Sequence, residues 1–189
     1  VVIDDPPVIQ HIEMPGGLEA MRTVFEDYRA TMPKSRREFL ERYRFADFAL
    51  KVVGVGSVGT GCFVIVMQDN DVNDPLVLQA KEATASVLEE HLRSSGYANQ
   101  GERVVVGQRV MQATPDIFLG WTRGPLGRDF YIRQLWDMKG SVDTTTLRPE
   151  GLGAYGGLCA WALARAHARS GDPVAISAYF CCYGPGHAW

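Results

Sequence analysis

Between Lys51 and Gln68 the chain reads KVVGVGSVGTGCFVIVMQ, a glycine cluster followed by an unbroken run of apolar residues. Gly54, Gly56 and Gly59 form a G-x-G-x-x-G, and the residues after them decide their use. A dinucleotide fingerprint opens a helix directly after its glycines. Here the continuation from Cys62 to Met67 is largely β-branched and aromatic, which favours a strand. A P-loop is excluded because G-x-x-x-x-G-K-[ST] is absent. The order is therefore strand, glycine loop, strand. In such a hairpin backbone amides can approach an anion with no side chain between them, although a plain tight turn uses the same residues.

The next strand, PLVLQAKEA, carries Lys81 near its end, beside the glycine loop if the strands are antiparallel. A lysine there neutralises the α- and β-phosphates of ATP and is held by a glutamate from a neighbouring helix. Glu89 and Glu102 are the candidates. Without the glycine loop, Lys81 reads as a strand lysine facing solvent. The nucleotide-binding set is thus Gly54, Gly56, Ser57, Val58, Gly59, Lys81, Glu89, Glu102, Leu135 and Met138. Residues 135–138, from Leu135 to Met138, are expected to form a hinge whose backbone meets the adenine edge while Val55, Val58 and Met138 sandwich the ring, although Met138 reads equally as core.

Around these residues the period of the apolar positions predicts an α+β fold. Leu18, Met21, Phe25, Tyr28 and Met32 recur at helical spacing over residues 17–32. Ser35 and Glu38 make a capping box for a short second helix that buries Phe39, Leu40 and Tyr43. Five strands come next, FADFALKVV, GCFVIVM, PLVLQAKEA, DIFLGWT and DFYIRQLW, with helices over 84–92 and 101–113 between the third and fourth. Leu152, Tyr155, Cys159, Ala162, Leu163 and Ala166 mark a long helix ending at Gly171. The expected organisation is a helical segment over 1–44, a lobe with a five-stranded, mostly antiparallel sheet over 45–140, a helical segment over 141–180, and a tail over 181–189.

Other function classes find little support. A net charge of −3 is no footprint for nucleic acid. Arg36, Arg37, Arg42 and Arg44 are interleaved with Glu38 and Glu41, as on a solvated helix face. No apolar run is long enough to span a bilayer, and four unpatterned cysteines fit a reducing cytoplasm. The acidic loop 68–75 lacks the glycine of a calcium loop, so Asx-turns are expected there. Phosphoryl transfer needs carboxylates to orient the acceptor and hold magnesium, and neither the His167 to Asp172 stretch nor Asp47-Phe48 has the required spacing. No metal ligand is therefore expected in this chain, Asp172 reads as a turn residue, and only turnover by the chain would point back to Asp137, Asp143 and Asp172 as overlooked metal ligands.

The phrases VVGVGSVGTGCFVIV, DPLVLQAKEATASVLEE, GERVVVGQRVMQATPDIFLGWTRG, GRDFYIRQLWDMKGS and CAWALARAHARSGD resemble the bacterial family of unknown function numbered 2252, over about residues 40–180. The resemblance implies a protein-kinase-like or aminoglycoside-phosphotransferase-like fold with permuted segments. The family's G-D-x-H-x-x-N-F-G and N-D-F-D-E stretches precede the glycine loop, and this chain has neither. It therefore reads as a fragment, in keeping with Val1 in place of Met. Its ending CCYGPGHAW departs from the family, so Cys181, Cys182 and His187 are read as accidental rather than as a zinc site. The expected function is the ATP-binding portion of a kinase-like phosphotransferase, binding magnesium-ATP without turnover, its phosphate acceptor unidentified. The alternative is a non-catalytic kinase-like module that offers Trp121, Trp136 and Trp161 to a partner. A nicotinamide oxidoreductase is disfavoured by the strand after the glycines.

Overall fold

The computed structural model describes residues 1–12, 16–52, 59–69, 74–135 and 140–183. The elements are β1 (Ile9–Gln10), α1 (Gly17–Ala30), α2 (Lys34–Leu40), β2 (Arg44–Lys51), β3 (Cys62–Gln68) and β4 (Pro75–Glu82). A 3-10 turn (Val87–Glu90), α3 (Gln100–Met111), β5 (Gly120–Arg123), β6 (Asp129–Gln134), α4 (Pro149–Ser170) and α5 (Pro173–Tyr183) complete them. The strands form one antiparallel sheet in the order β1-β2-β3-β4-β6-β5. It has six strands rather than the expected five. The extra one, β1, is only two residues long, too short to show any period, and exists because Ile9 and Gln10 meet Lys51 and Leu50 at the edge of β2.

The described chain divides into two compact units, 1–106 with 115–137 and 107–114 with 138–189. The first unit contains the sheet. Ile65 and Met67 of β3, Leu76, Leu78 and Ala80 of β4, and Phe130 and Ile132 of β6 share one face, because side chains alternate along a strand. With Tyr28 and Met32 from α1 and its C-terminal end and Leu40 of α2 they form the core. Tyr28 is fully buried, and its hydroxyl donates to the Phe118 carbonyl. Burial, with the charge of Asp116, pushes that phenol well above the ordinary tyrosine range. The Thr122 hydroxyl donates to the Val24 carbonyl at 3.0 Å and further ties α1 to β5.

Three local expectations are corrected. α2 starts at Lys34 with Pro33 as N-cap, so Ser35 already lies in the first turn and makes no cap bond. Of its expected apolar side only Leu40 is buried, while Phe39 is 38% exposed and rests against Tyr43 and Phe118. Residues 84–92 make only the 3-10 turn, capped by Ser86. Val87 and Leu88 there stay exposed, and no buried face offsets the cost of nucleating a longer helix.

In the second unit α4 runs to Ser170 and stops at Gly171 as its spacing predicts. Of its apolar stripe Ala166 alone is buried, whereas Leu152, Tyr155 and Leu163 are exposed. α5 extends beyond the expected helices, its first amides at Val174 and Ala175 donating to the Asp172 carboxylate at 2.8 and 3.2 Å.

The β1 edge is clamped by one imidazole between two carboxylates. His11 Nδ1 lies 2.6 Å from Asp4 and Nε2 3.1 Å from Asp47. Its hydrogen bonds, first to Asp4 and then to Asp47, raise the His11 pKa above the ordinary 6.5. The amide and ring of His11 hold Asp4 below 3.8. At Asp47, burial pushes the other way but is outweighed by the Val2 amide, His11 and the Phe48 amide, so this carboxyl is also lowered. The stability from His11 is therefore complete below pH 6.5 and lost as pH rises through its raised value, while that from the two carboxylates is complete above 3.8 and lost as pH falls through theirs. The clamp is strongest between those limits. In thermal melts, His11→Gln should lower Tm at about pH 5 and have a smaller effect at about pH 8.5. An equal difference at both pH values would refute the clamp.

Candidate functional site

Strand register brings a set of polar side chains onto the sheet face that points away from the α1 and α2 core. Cys62, Lys81 and Tyr131 are aligned across β3, β4 and β6, and Val64, Gln79 and Arg133 form the adjacent row. Gln79 is 2% exposed. Its Oε1 accepts from Arg133 Nε and Nη2 at 3.3 and 3.1 Å, and its Nε2 donates to Cys62 Sγ at 3.5 Å. Burial pushes the Cys62 thiol up, and Lys81, the Gln79 hydrogen bond, Lys51 and Arg133 oppose it in that order. Burial also raises Tyr131, with Arg133 opposing. Three cationic side chains thus surround one buried thiol. Among the described residues neither Lys81 nor Lys51 forms an ion pair.

The acidic neighbour of Lys81 does not neutralise it. Glu82 points to the opposite face, where its carboxylate accepts from the Gly61 amide at 2.7 Å and from Arg128 at 3.3 Å. The Glu82 amide in turn donates to the Gly61 carbonyl at 2.7 Å. These bonds fasten the end of the glycine hairpin next to Lys81. Gly59 has φ +80, a left-handed conformation that glycine adopts without strain. Gly54, Val55, Gly56, Ser57 and Val58 lie outside the described residues, as do Trp136, Asp137 and Met138.

The two glutamates expected to hold Lys81 are engaged differently. Glu89, in the 3-10 turn, accepts from the Ser95 hydroxyl at 2.9 Å. Glu102 lies half-buried in the first turn of α3, with its amide donating to Asn99 Oδ1 at 3.1 Å. Among the described residues neither carboxylate forms an ion pair with Lys81. The start of α3 is fixed by Asp129, which accepts from the Gln100 amide, Asn99 Nδ2 and Arg123 Nε at 2.8, 3.0 and 2.9 Å. At Leu135, where a hinge was expected, the amide donates to the Val77 carbonyl at 2.9 Å, so this N–H is used within the sheet.

Reading the sequence missed Lys51, Cys62, Gln79 and Arg133 as companions of Lys81. The period-2 spacing of Gln79 with Lys81 and of Tyr131 with Arg133 was visible. What joins the two pairs is β4–β6 pairing, which passes over α3 and β5 and has no local signal.

A family model described as "Uncharacterized protein conserved in bacteria (DUF2252)" matches residues 1–181. The chain belongs to this family. No curated protein and no solved structure matches it. Among the described residues of this DUF2252 chain no group of three or more His, Cys, Asp or Glu side chains could hold a metal ion, and no helix is long and apolar enough to cross a membrane. Asp143 accepts from the Thr145 amide and hydroxyl at 2.9 and 2.6 Å, which lowers its pKa. Asp172 is engaged at the start of α5. Trp121 is half-buried on β5, and Trp161 is 57% exposed on α4 with Arg165 over its ring at 4.6 Å.

Proposed function

We propose that the Lys81 face binds the phosphates of ATP and that this DUF2252 chain is the nucleotide-binding part of a kinase-like phosphotransferase. The observation that carries the reading is Lys81 itself. It lies next to the fastened end of the glycine hairpin, unpaired among the described residues, with Lys51 and Arg133 adding positive charge around Cys62. The order of parts supports it. A glycine hairpin leads to a strand with a lysine, then to a helix, and the last strand returns beside the lysine strand. Lys81 and the hairpin amides would neutralise and orient the triphosphate. Magnesium would supply charge neutralisation between the β- and γ-phosphates. No described carboxylate cluster fits it, so no chemical step is assigned to this chain, and binding without turnover is the expected behaviour.

The test is calorimetric titration with magnesium-ATP of the unaltered chain and of Lys81→Ala, each checked by circular dichroism. Loss of one charge-assisted contact should weaken binding at least about tenfold. If the unaltered chain takes up no ATP, or Lys81→Ala binds it equally well, the nucleotide reading fails. ATP turnover by this chain that Lys81→Ala abolishes would refute its inactivity alone. A non-catalytic partner-binding module is the second reading, favoured by the exposed Trp161. Partner binding would then survive Lys81→Ala.

A further inference from the structure

On the face of the sheet opposite Lys81, a half-open cavity of about 310 Å³ lies between α1 and strands β3, β4 and β6. Its walls are Met21 and Val24 of α1, Phe63 and Ile65 of β3, Ala80 of β4 and Ile132 of β6. The polar groups along it are already satisfied. The Thr122 hydroxyl donates to the Val24 carbonyl, and the Gly61 amide donates to Glu82. One charged side chain stands in the lining, Arg128. Its side chain is 55% exposed, and Nη1 alone reaches Glu82, at 3.3 Å, so among the described residues the remaining guanidinium donors stay available.

Protein interiors pack to crystal density, with few voids larger than a water molecule. An apolar cavity of about 150 Å³ stays dry and takes up benzene, and this one is about twice that size. Because the space is half open, water wets its apolar walls when no ligand is present, and an apolar occupant releases that water and gains dispersion contacts. Apolar walls with one convergent polar group are also the usual composition of a small-molecule site. We propose that this cavity binds a medium-chain carboxylate. By the benzene comparison, a chain of roughly eight to ten carbons fills the space, and the carboxylate meets the free donors of Arg128. The site is separate from the Lys81 face and does not depend on the nucleotide reading.

The experiment is displacement of the neutral fluorescent probe N-phenyl-1-naphthylamine from the full chain by decanoate and by decanol. The expected result is displacement by decanoate at lower concentration than by decanol. Arg128→Gln should weaken decanoate about tenfold and leave decanol unchanged. Val24→Trp, which fills the cavity from α1, should abolish probe uptake. Ala80→Leu fills it from the sheet and serves if Val24→Trp does not fold, as judged by circular dichroism. Leu158 and Trp161 are exposed on α4 and could capture the probe themselves, so the double variant Leu158→Ser, Trp161→Ser is measured alongside. Probe uptake that this double variant removes and the filling variants leave intact overturns the proposal. So does equal displacement by decanoate and decanol, or decanoate binding indifferent to Arg128→Gln.

Discussion

Gly101→Ala is expected to lower the unfolding free energy by about 2–3 kcal/mol, although alanine ordinarily stabilises a helix by up to about 1 kcal/mol over glycine. A Cβ at Gly101 would lie 2.2 Å from the Phe130 carbonyl oxygen and 2.6 Å from its carbon. Those atoms belong to the backbone of β6, which is held in the ladder by β4 and β5, so they cannot swing aside as a side-chain end would. The helix must move instead, away from the Asp129 carboxylate that binds the Gln100 amide. Gly107 provides the control in the same helix. It is exposed, and its added Cβ would meet nothing within 4 Å, so Gly107→Ala should stabilise by roughly 0.5–1 kcal/mol. Urea denaturation of both variants checks the pair. If Gly101→Ala is neutral or stabilising, the close approach of α3 to β6 is wrong.

The larger loss is expected at Leu78→Ala, about 3–4 kcal/mol. Leu78 is fully buried in the middle of β4, opposite Ile65 on β3, and belongs to the cluster that receives α1 and α2. Truncation leaves a void that two hydrogen-bonded neighbouring strands cannot close. Val77, one residue earlier, points to the other face and is only half-buried, so Val77→Ala should cost no more than about 1–1.5 kcal/mol. Urea midpoints with unchanged slopes measure both. A Leu78→Ala loss below about 1 kcal/mol would mean that the helical layer does not pack on this strand.

The elements that were legible in the sequence are those whose own residues carry the signal. Cys62 to Met67 is an unbroken β-branched and aromatic run, and it becomes β3. The spacing of Met21, Phe25, Tyr28 and Met32 matches the single face that α1 buries. The 84–92 stretch has helix-forming residues but no surface to cover, so composition suggested a helix where the fold keeps a single turn. Ser35 shows the same limit at smaller scale. A capping box was readable, but Pro33 starts the helix earlier and removes Ser35 from the cap.

Local chemistry was sufficient for strands β2, β3, β4 and β6, because backbone stiffness and apolar period act within a few residues of one another. Pairing decided the rest. Placing β6 beside β4 unites Gln79 and Lys81 with Tyr131 and Arg133, and antiparallel register with β3 sets Cys62 beside the lysine. The same alternation turns Glu82 away from Lys81 toward Arg128 and the apolar cavity. A shift of one residue in register would exchange the two faces and all of these neighbours. Such contacts join residues far apart in the chain, so their energies arise only after the loops have closed, and no short stretch of sequence records them.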